Sequence, residues 1–246
     1  MTLEAFVHGA MCISYSGRCL LSNAMTGRDA NRGLCAHPCR YRYAVMEEKR
    51  PGQYYPIEED ARGTYVFNSK DLCMIRHIPE LIESGISSLK IEGRIKSLYY
   101  VASIIHAYRQ AIDEYYRDPE SYRFKEEWFE ELREFTTGFY FRKTTQDDQN
   151  YLTSAYIKDY SFTGIVKSYD ACAGFAVVEQ RNKMLEGDEI EIFGPAPGFV
   201  KQKISEMYDF TTGERLISAP HPKQLLKMKM ETPVSENYIL RKRIKE

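Results

Sequence analysis

Four of the six cysteines of this chain, Cys12, Cys19, Cys35 and Cys39, crowd into one short stretch, and no other feature constrains the fold as much. From Ser14 to Pro38 the chain mixes glycine, serine, asparagine and arginine with no period of two or of 3.6, so neither a strand nor a helix orders it. A loop that long needs something else to hold it. Thiolates are soft donors, and four of them complete the shell of a zinc ion or of an iron-sulfur cluster. The six residues between Cys12 and Cys19 make a looser pair than common zinc knuckles, which favours a cluster and leaves zinc open.

The alternative use of crowded cysteines is a disulfide framework. Met1 to His8 shows no basic segment ahead of an apolar stretch, and no later apolar run approaches the ~20 residues of a membrane span. The chain therefore reads as soluble and cytoplasmic, where thiols stay reduced and metal outweighs disulfide. A net charge of -1 gives no global attraction to nucleic acid or membrane, so any such partner must meet a local patch. Cys73 reads as structural on the apolar face of a helix, and Cys172 as a turn residue.

The pattern along the chain predicts an α/β architecture followed by a small β domain. Leu3 to His8 has buried-strand character and runs directly into Cys12. Thr64 to Phe67 reads as a strand. Asn68 and Ser69 cap a predicted helix through Leu72, Ile75, Ile78, Leu81 and Ile82 to Gly85, a natural residue just past a helix end. Ile86 to Ile91 is the next strand, and Ser97 caps a long helix with Tyr100, Val101, Ile104, Ile105, Tyr108, Ile112 and Tyr115 on its apolar face. Strand, helix, strand, helix implies a parallel sheet. A short helix is expected around 126–135. The polar stretch 144–152 reads as a linker between a first domain, 1–143, and a second, 153–246. In the second, short strands at 163–167, 174–179, 188–193, 200–207, 225–230 and 238–241 predict a small antiparallel β-barrel.

The runs Phe6-Val7-His8-Gly9-Ala10-Met11-Cys12, Tyr15-Ser16-Gly17-Arg18-Cys19, Asn31 to Arg40 and Ser88-Leu89-Lys90-Ile91-Glu92-Gly93-Arg94 resemble the collagenase-like peptidase family U32. The likeness extends over nearly the whole chain and is strongest to members that hydroxylate transfer RNA. It implies the C-terminal part of a (β/α)8 TIM-type barrel, followed by the small β-barrel. It further implies a 4Fe-4S cluster on Cys12, Cys19, Cys35 and Cys39, hydroxylation of the wobble uridine of tRNA to 5-hydroxyuridine, and prephenate as co-substrate. Family members carry a long stretch of strands and helices before the His-Gly-Ala-Met-Cys run, which here begins at residue 8. The first half of the barrel is thus expected to be absent, through a fragment or split gene, or to be supplied by a second chain.

In barrels of this type the strands' C-terminal ends carry the site, so the Cys12 and Glu92 motifs are expected to share a face. Glu92 is placed to move a proton, and Arg94 and Lys96 to hold a carboxylate by charge-assisted hydrogen bonds. An ion-pair network of Lys90, Glu92 and Arg94 is the plainer role for the same residues. Arg28, Arg32, Arg40 and Arg42 bracket the cysteines and suit RNA phosphates, with Tyr41 and Tyr43 for stacking. Residues 197–246 carry more basic than acidic side chains, which suits a domain that helps dock RNA. Two competing functions follow from the same residues: a peptidase in which His8 serves Cys12 as base, and a noncatalytic RNA-binding module.

Overall fold

The computed structural model describes residues 1–11, 19–40, 44–46, 48–49, 51–52, 54–56, 70–94, 96–129, 135–142, 160–196 and 198–244. The expected strand at 64–67 and linker at 144–152 lie outside these, as do Cys12, Tyr41, Arg42 and Tyr43. The chain forms two compact units: one of Met1–Met74, Ser87–Glu92 and Arg133–Tyr156, the other of Ile75–Ile86, Gly93–Leu132 and Ile157–Glu246.

The first unit is built on four strands, β1 (Glu4–Gly9), β4 (Asp71–Cys73), β5 (Ser88–Ile91) and β6 (Phe135–Thr136), in the order β5-β1-β4-β6; β2 (Ala44–Met46) and β3 (Tyr54–Pro56) form a separate antiparallel pair. β1 runs parallel to β5 and β4 parallel to β6, but β1 and β4 are antiparallel. The expectation of a purely parallel sheet is therefore corrected. Leu72 belongs to β4 and not to a helix, because 71–73 is pulled between β1 and β6, where Asp71 and Leu72 are buried. Cys73 moves with it, off the predicted helix and onto the strand, directly across from His8. A short helix, α1 (Leu21–Thr26), follows Cys19 and ends at Gly27, whose φ of 69° is left-handed.

In the second unit the helix expected from 69 onward shrinks to a 3-10 turn at Ile75–His77 and α2 (Ile78–Glu83). Pro79 sets that start, since proline fits the first turn of a helix and breaks an interior. Gly85 closes the helix as expected, with φ 77° and its N–H donating to Ile82 O. The Ser97 side chain caps α3 (Leu98–Arg117) by accepting from Tyr100 N at 3.1 Å. The helix expected at 126–135 is a single 3-10 turn, Glu126–Trp128, in the described residues.

The remaining strands are β7 (Tyr160–Asp170), β8 (Phe175–Gln180), β9 (Met184–Leu185), β10 (Glu189–Phe193), β11 (Val200–Lys203), β12 (Met207–Asp209), β13 (Ser218–Ala219), β14 (Leu225–Lys229) and β15 (Ile239–Arg243). Seven form one antiparallel sheet, β11-β10-β15-β7-β8-β14-β12, and β9 pairs with β13. The single strand expected at 200–207 is two, β11 and β12, on opposite edges of that sheet. Laid flat, seven strands at ~4.8 Å put the edges about 29 Å apart, whereas the three residues from 204 to 206 span roughly 10 Å. The sheet must therefore curl, and the Gln202 side chain ties the edge strand β11 to the end of β14 by donating to Lys229 O at 3.0 Å and accepting from Glu231 N at 3.1 Å. Val178, Met184, Ile190, Ile192, Leu226, Met228 and Leu240 fill the interior at 1% exposure or less. Each such side chain contributes roughly 1.5–3 kcal/mol.

Candidate metal and active site

The site expected from sequence starts where β1 ends. A bulge between Phe6 and His8 shifts the pairing with β5, so that His8 lies opposite Ile91. Bulges of this kind re-aim side chains beside functional sites. Beyond the bulge, Glu92 N donates to His8 O at 2.9 Å, which carries the parallel pairing to the strand ends. Gly9 has φ 118°, and a Cβ there would stand 2.8 Å from Glu92 O and 2.9 Å from Glu92 Cβ. Only glycine permits both the conformation and the approach. Glu92, half-buried, is thereby held against the residue from which the cysteine loop departs. His8 is wholly buried, its ring 5.5 Å from that of Phe135.

Three of the four clustered cysteines are described, none of them in a disulfide: Cys19 is buried, Cys35 and Cys39 half-buried. Their segments are gathered by α1. Cys19 directly precedes it; Ala36 N donates to the buried Ser22 Oγ at 3.0 Å and so ties the Cys35 turn to the helix; the 3-10 turn Pro38–Arg40, which carries Cys39, packs on the same helix. His37, with φ 57°, turns its N–H onto Cys35 Sγ at 3.4 Å. Backbone N–H groups aimed at sulfur are one means by which a metal's thiolate ligands are oriented. Among the described residues no three His, Cys, Asp or Glu side chains converge closely enough to share one metal ion. The soft thiol donors of Cys19, Cys35 and Cys39 are of the type that a zinc ion or an iron-sulfur cluster takes.

The cationic residues do not all gather with the thiols. Arg28 and Arg32 are exposed, flanking the left-handed turns at Gly27 and Gly33; the Arg40 backbone lies in the Cys39 turn. Lys90 is exposed on β5, 3.4 Å from Glu4 at the opposite end of β1, so it serves an ion pair across the sheet. Arg94 is exposed, and Lys96 holds its ammonium 5.1 Å above the Tyr100 ring.

Sequence reasoning missed a buried polar core in the second unit. Arg241 is 4% exposed, 3.8 Å from the Tyr160 ring and 4.2 Å from that of Phe199, with Nε donating to Glu191 Oε2 at 2.8 Å. Burial alone would lower its pKa, but Tyr99 and Glu191 outweigh that and raise it. His106 of α3 donates from Nδ1 to Gly194 O at 2.9 Å, and burial pulls its pKa down. The only signal for either in sequence is a polar residue inside an apolar run.

The model of peptidase family U32 matches residues 1–150, and that of the family's C-terminal domain matches 158–241. This chain belongs to peptidase family U32. Over 98% of its length the U32 chain is 40% identical to tRNA hydroxylation protein P1 of Bacillus subtilis (strain 168), covering 58% of that protein. It is 34% identical to tRNA hydroxylation protein P of Escherichia coli (strain K12), covering 98% of this chain and 62% of the relative. A collagenase of Porphyromonas gingivalis is 31% identical over 87% of this chain and 59% of its own length. The chain thus spans about six-tenths of the length of these curated relatives. Among solved structures, the C-terminal domain of a Geobacillus thermoleovorans U32 peptidase is 38% identical, covering 34% of this chain and 92% of that one, with a TM-score of 0.32. No helix among the described residues is long and apolar enough to cross a membrane.

Proposed function

We propose that this U32 chain takes part in tRNA hydroxylation, converting the wobble uridine to 5-hydroxyuridine with a 4Fe-4S cluster on Cys12, Cys19, Cys35 and Cys39 and prephenate as co-substrate. The observation that carries the reading is the close seating of Gly9 on Glu92: the cysteine loop and a half-buried carboxylate leave neighbouring parallel strand ends. Relatives named for tRNA hydroxylation align across almost the whole of this chain, cysteine loop included.

Replacing the C5–H of uracil by C5–OH is a two-electron oxidation. Taken with the hydroxyl carried by the co-substrate it balances as U–H + R–OH → U–OH + R–H, the co-substrate being reduced by the same two electrons, so the step needs an electron relay and a base. The bound cluster supplies electron-transfer chemistry. Glu92, fixed by the Glu92–His8 backbone bond, takes a proton from the substrate side. Arg94 and Lys96, close after Glu92 in sequence, are assigned to the carboxylates of the co-substrate by charge. Arg28, Arg32 and Arg40, on the turns beside the thiols, hold RNA phosphates. His8 is sealed between β4, β5 and Phe135, which leaves a peptidase without an open base at that position.

The test is anaerobic purification with visible absorption, iron and acid-labile sulfide counted against protein, for the parent and for Cys35→Ala. Purified tRNA incubated with protein and prephenate is then digested and its nucleosides weighed. A brown protein that loses colour and iron in the variant, together with a uridine heavier by one oxygen, is the expected result. A colourless parent that holds zinc, or no metal, overturns the redox reading.

A further inference from the structure

The outer surface of the C-terminal sheet is covered unequally. α3 lies over β7, β10 and β15, where Tyr99 stacks on Phe162 and joins buried Tyr160, Ile165, Phe193 and Ile239. Beyond that cover, on β8, β14 and β12, Phe210, Leu225 and Lys227 are exposed and Phe175, Val177 and Tyr208 half-buried. Leu225, Lys227 and Lys229 alternate with the buried Leu226 and Met228, so they share the outer face. Across the ladder Lys227 stands opposite Val177 and Tyr208, and Lys229 opposite Phe175.

The two lysines are held in an unusual way. Their ammonium groups lie 4.8 and 4.9 Å from the centre of the Phe175 ring, and Lys229 also donates to Ala173 O at 3.0 Å. Other lysines of the domain sit on carboxylates: Lys201 on Glu191, Lys203 on Glu189, Lys242 on Asp188. Lys227 and Lys229 form no ion pair among the described residues. The acids nearby are engaged elsewhere, Glu179 with Arg181, Asp170 with the N–H groups of Cys172 and Ala173, Glu206 with Tyr208 Oη. A cation that rests on a ring gives up less to meet a phosphate than one that must leave a carboxylate.

We propose that the outer face of β8, β14 and β12 is an RNA-docking surface, on which Lys227 and Lys229 take two backbone phosphates while Tyr208, Phe210 and Leu225 receive unstacked bases. This rests on the tRNA reading above and names the surface that brings the substrate in. Two residues along a strand are ~6.8 Å apart, a separation of the same order as that between successive phosphates of a nucleotide strand. Aromatic and basic side chains interleaved on a sheet face are the means by which such domains hold single-stranded RNA. Phe175 acts as a positioning residue, since it orients both ammonium groups.

Binding of the full chain to 3′-labelled unmodified tRNA, followed by fluorescence anisotropy from low to moderate salt, tests this. Lys227→Ala/Lys229→Ala should weaken binding about tenfold at low salt and flatten the slope of log affinity against log salt by about 1.4 to 1.8, two phosphates at 0.7–0.9 each. Phe175→Leu keeps the charge and should weaken binding severalfold. Lys201→Ala/Lys203→Ala, which removes equal charge from the β11 edge, should stay within about twofold. A folded Lys227→Ala/Lys229→Ala protein that binds tRNA like the parent, or a Lys201→Ala/Lys203→Ala protein equally weakened, overturns the docking surface and leaves the tRNA reading standing. A parent that ignores tRNA but binds poly-glutamate through these lysines overturns both.

Discussion

Replacement of Gly9 by alanine should loosen the site more than any other single methyl group. Two costs add. The residue sits at φ 118°, where side-chain-bearing residues are strained by about 1–3 kcal/mol. The new Cβ would also stand 2.8 Å from a backbone oxygen and 2.9 Å from the Cβ of Glu92, neither of which is a flexible end that can swing away. Overpacking of that kind adds about 1–3 kcal/mol, for a total of roughly 2–6 kcal/mol against a whole-domain stability of about 5–15 kcal/mol. Gly27→Ala separates the two costs, because Gly27 is also left-handed, at φ 69°, but has nothing within 4 Å of the added methyl. Hydrogen exchange read by mass spectrometry on peptides spanning 4–9 and 88–91 measures the opening of the β1–β5 pair. Gly9→Ala should speed exchange there by at least about thirtyfold, since 1.4 kcal/mol is a factor of ten, and, with the proposed cluster bound, should lose iron faster than the parent. Equal protection in Gly9→Ala and the parent would refute the contact between the strand ends on which the site is built.

Three further outcomes follow from the same geometry. Arg241→Met leaves Glu191 without its buried partner and should cost about 3–5 kcal/mol in a urea melt, while Arg241→Met/Glu191→Leu should recover most of that loss. His106 has its pKa pulled below 6.5 by burial, so the native state resists its protonation; stability should fall as pH drops below about 6.5 and on through the lowered native value, and His106→Gln should flatten that fall in thermal melts between pH 7.5 and 5. Ser22→Ala removes the acceptor for Ala36 N at a buried position, at about 1 kcal/mol, and, with the proposed cluster bound, should hasten loss of iron to a chelator without moving the melting of the second unit.

Where local chemistry decides, the sequence was legible. The Ser97 cap and the Gly85 terminus needed only their neighbours, and both stand where the residue types put them. Alternating apolar residues located β7, β8, β10, β14 and β15 to within a few residues. The failure at 69–77 has a definite origin. Leu72, Ile75 and Ile78 are spaced for one helical face, yet a strand, a 3-10 turn and a helix in series bury the same three residues. Pro79 was the residue that argued for the later helix start. On α3 the expected stripe was too narrow: Tyr99, His106 and Gln110 are buried while Ile105 is 52% exposed. The helix must face Phe162, Phe193 and Phe199 as well as α2, and a partner far along the chain leaves no trace in a helix's own periodicity.

The site divides along the same line. That Gly9 and Glu92 should end neighbouring strands followed from two motifs, each placed just after a strand. What the motifs could not reveal was that Gly9 is the joint between them, because a glycine's role depends on what occupies the space where its side chain would be. His8 shows the reverse. Beside a cysteine in sequence it suggests a base for a nucleophile, yet the β-bulge places it opposite Ile91 on one side and Cys73 on the other, away from solvent. Lys90 belongs to the same case, since strand alternation turns it to Glu4. Charge and adjacency in sequence therefore do not tell which residues the framework claims, and the sheet register does: it seats Glu92 against Gly9 and assigns His8 and Lys90 to the framework.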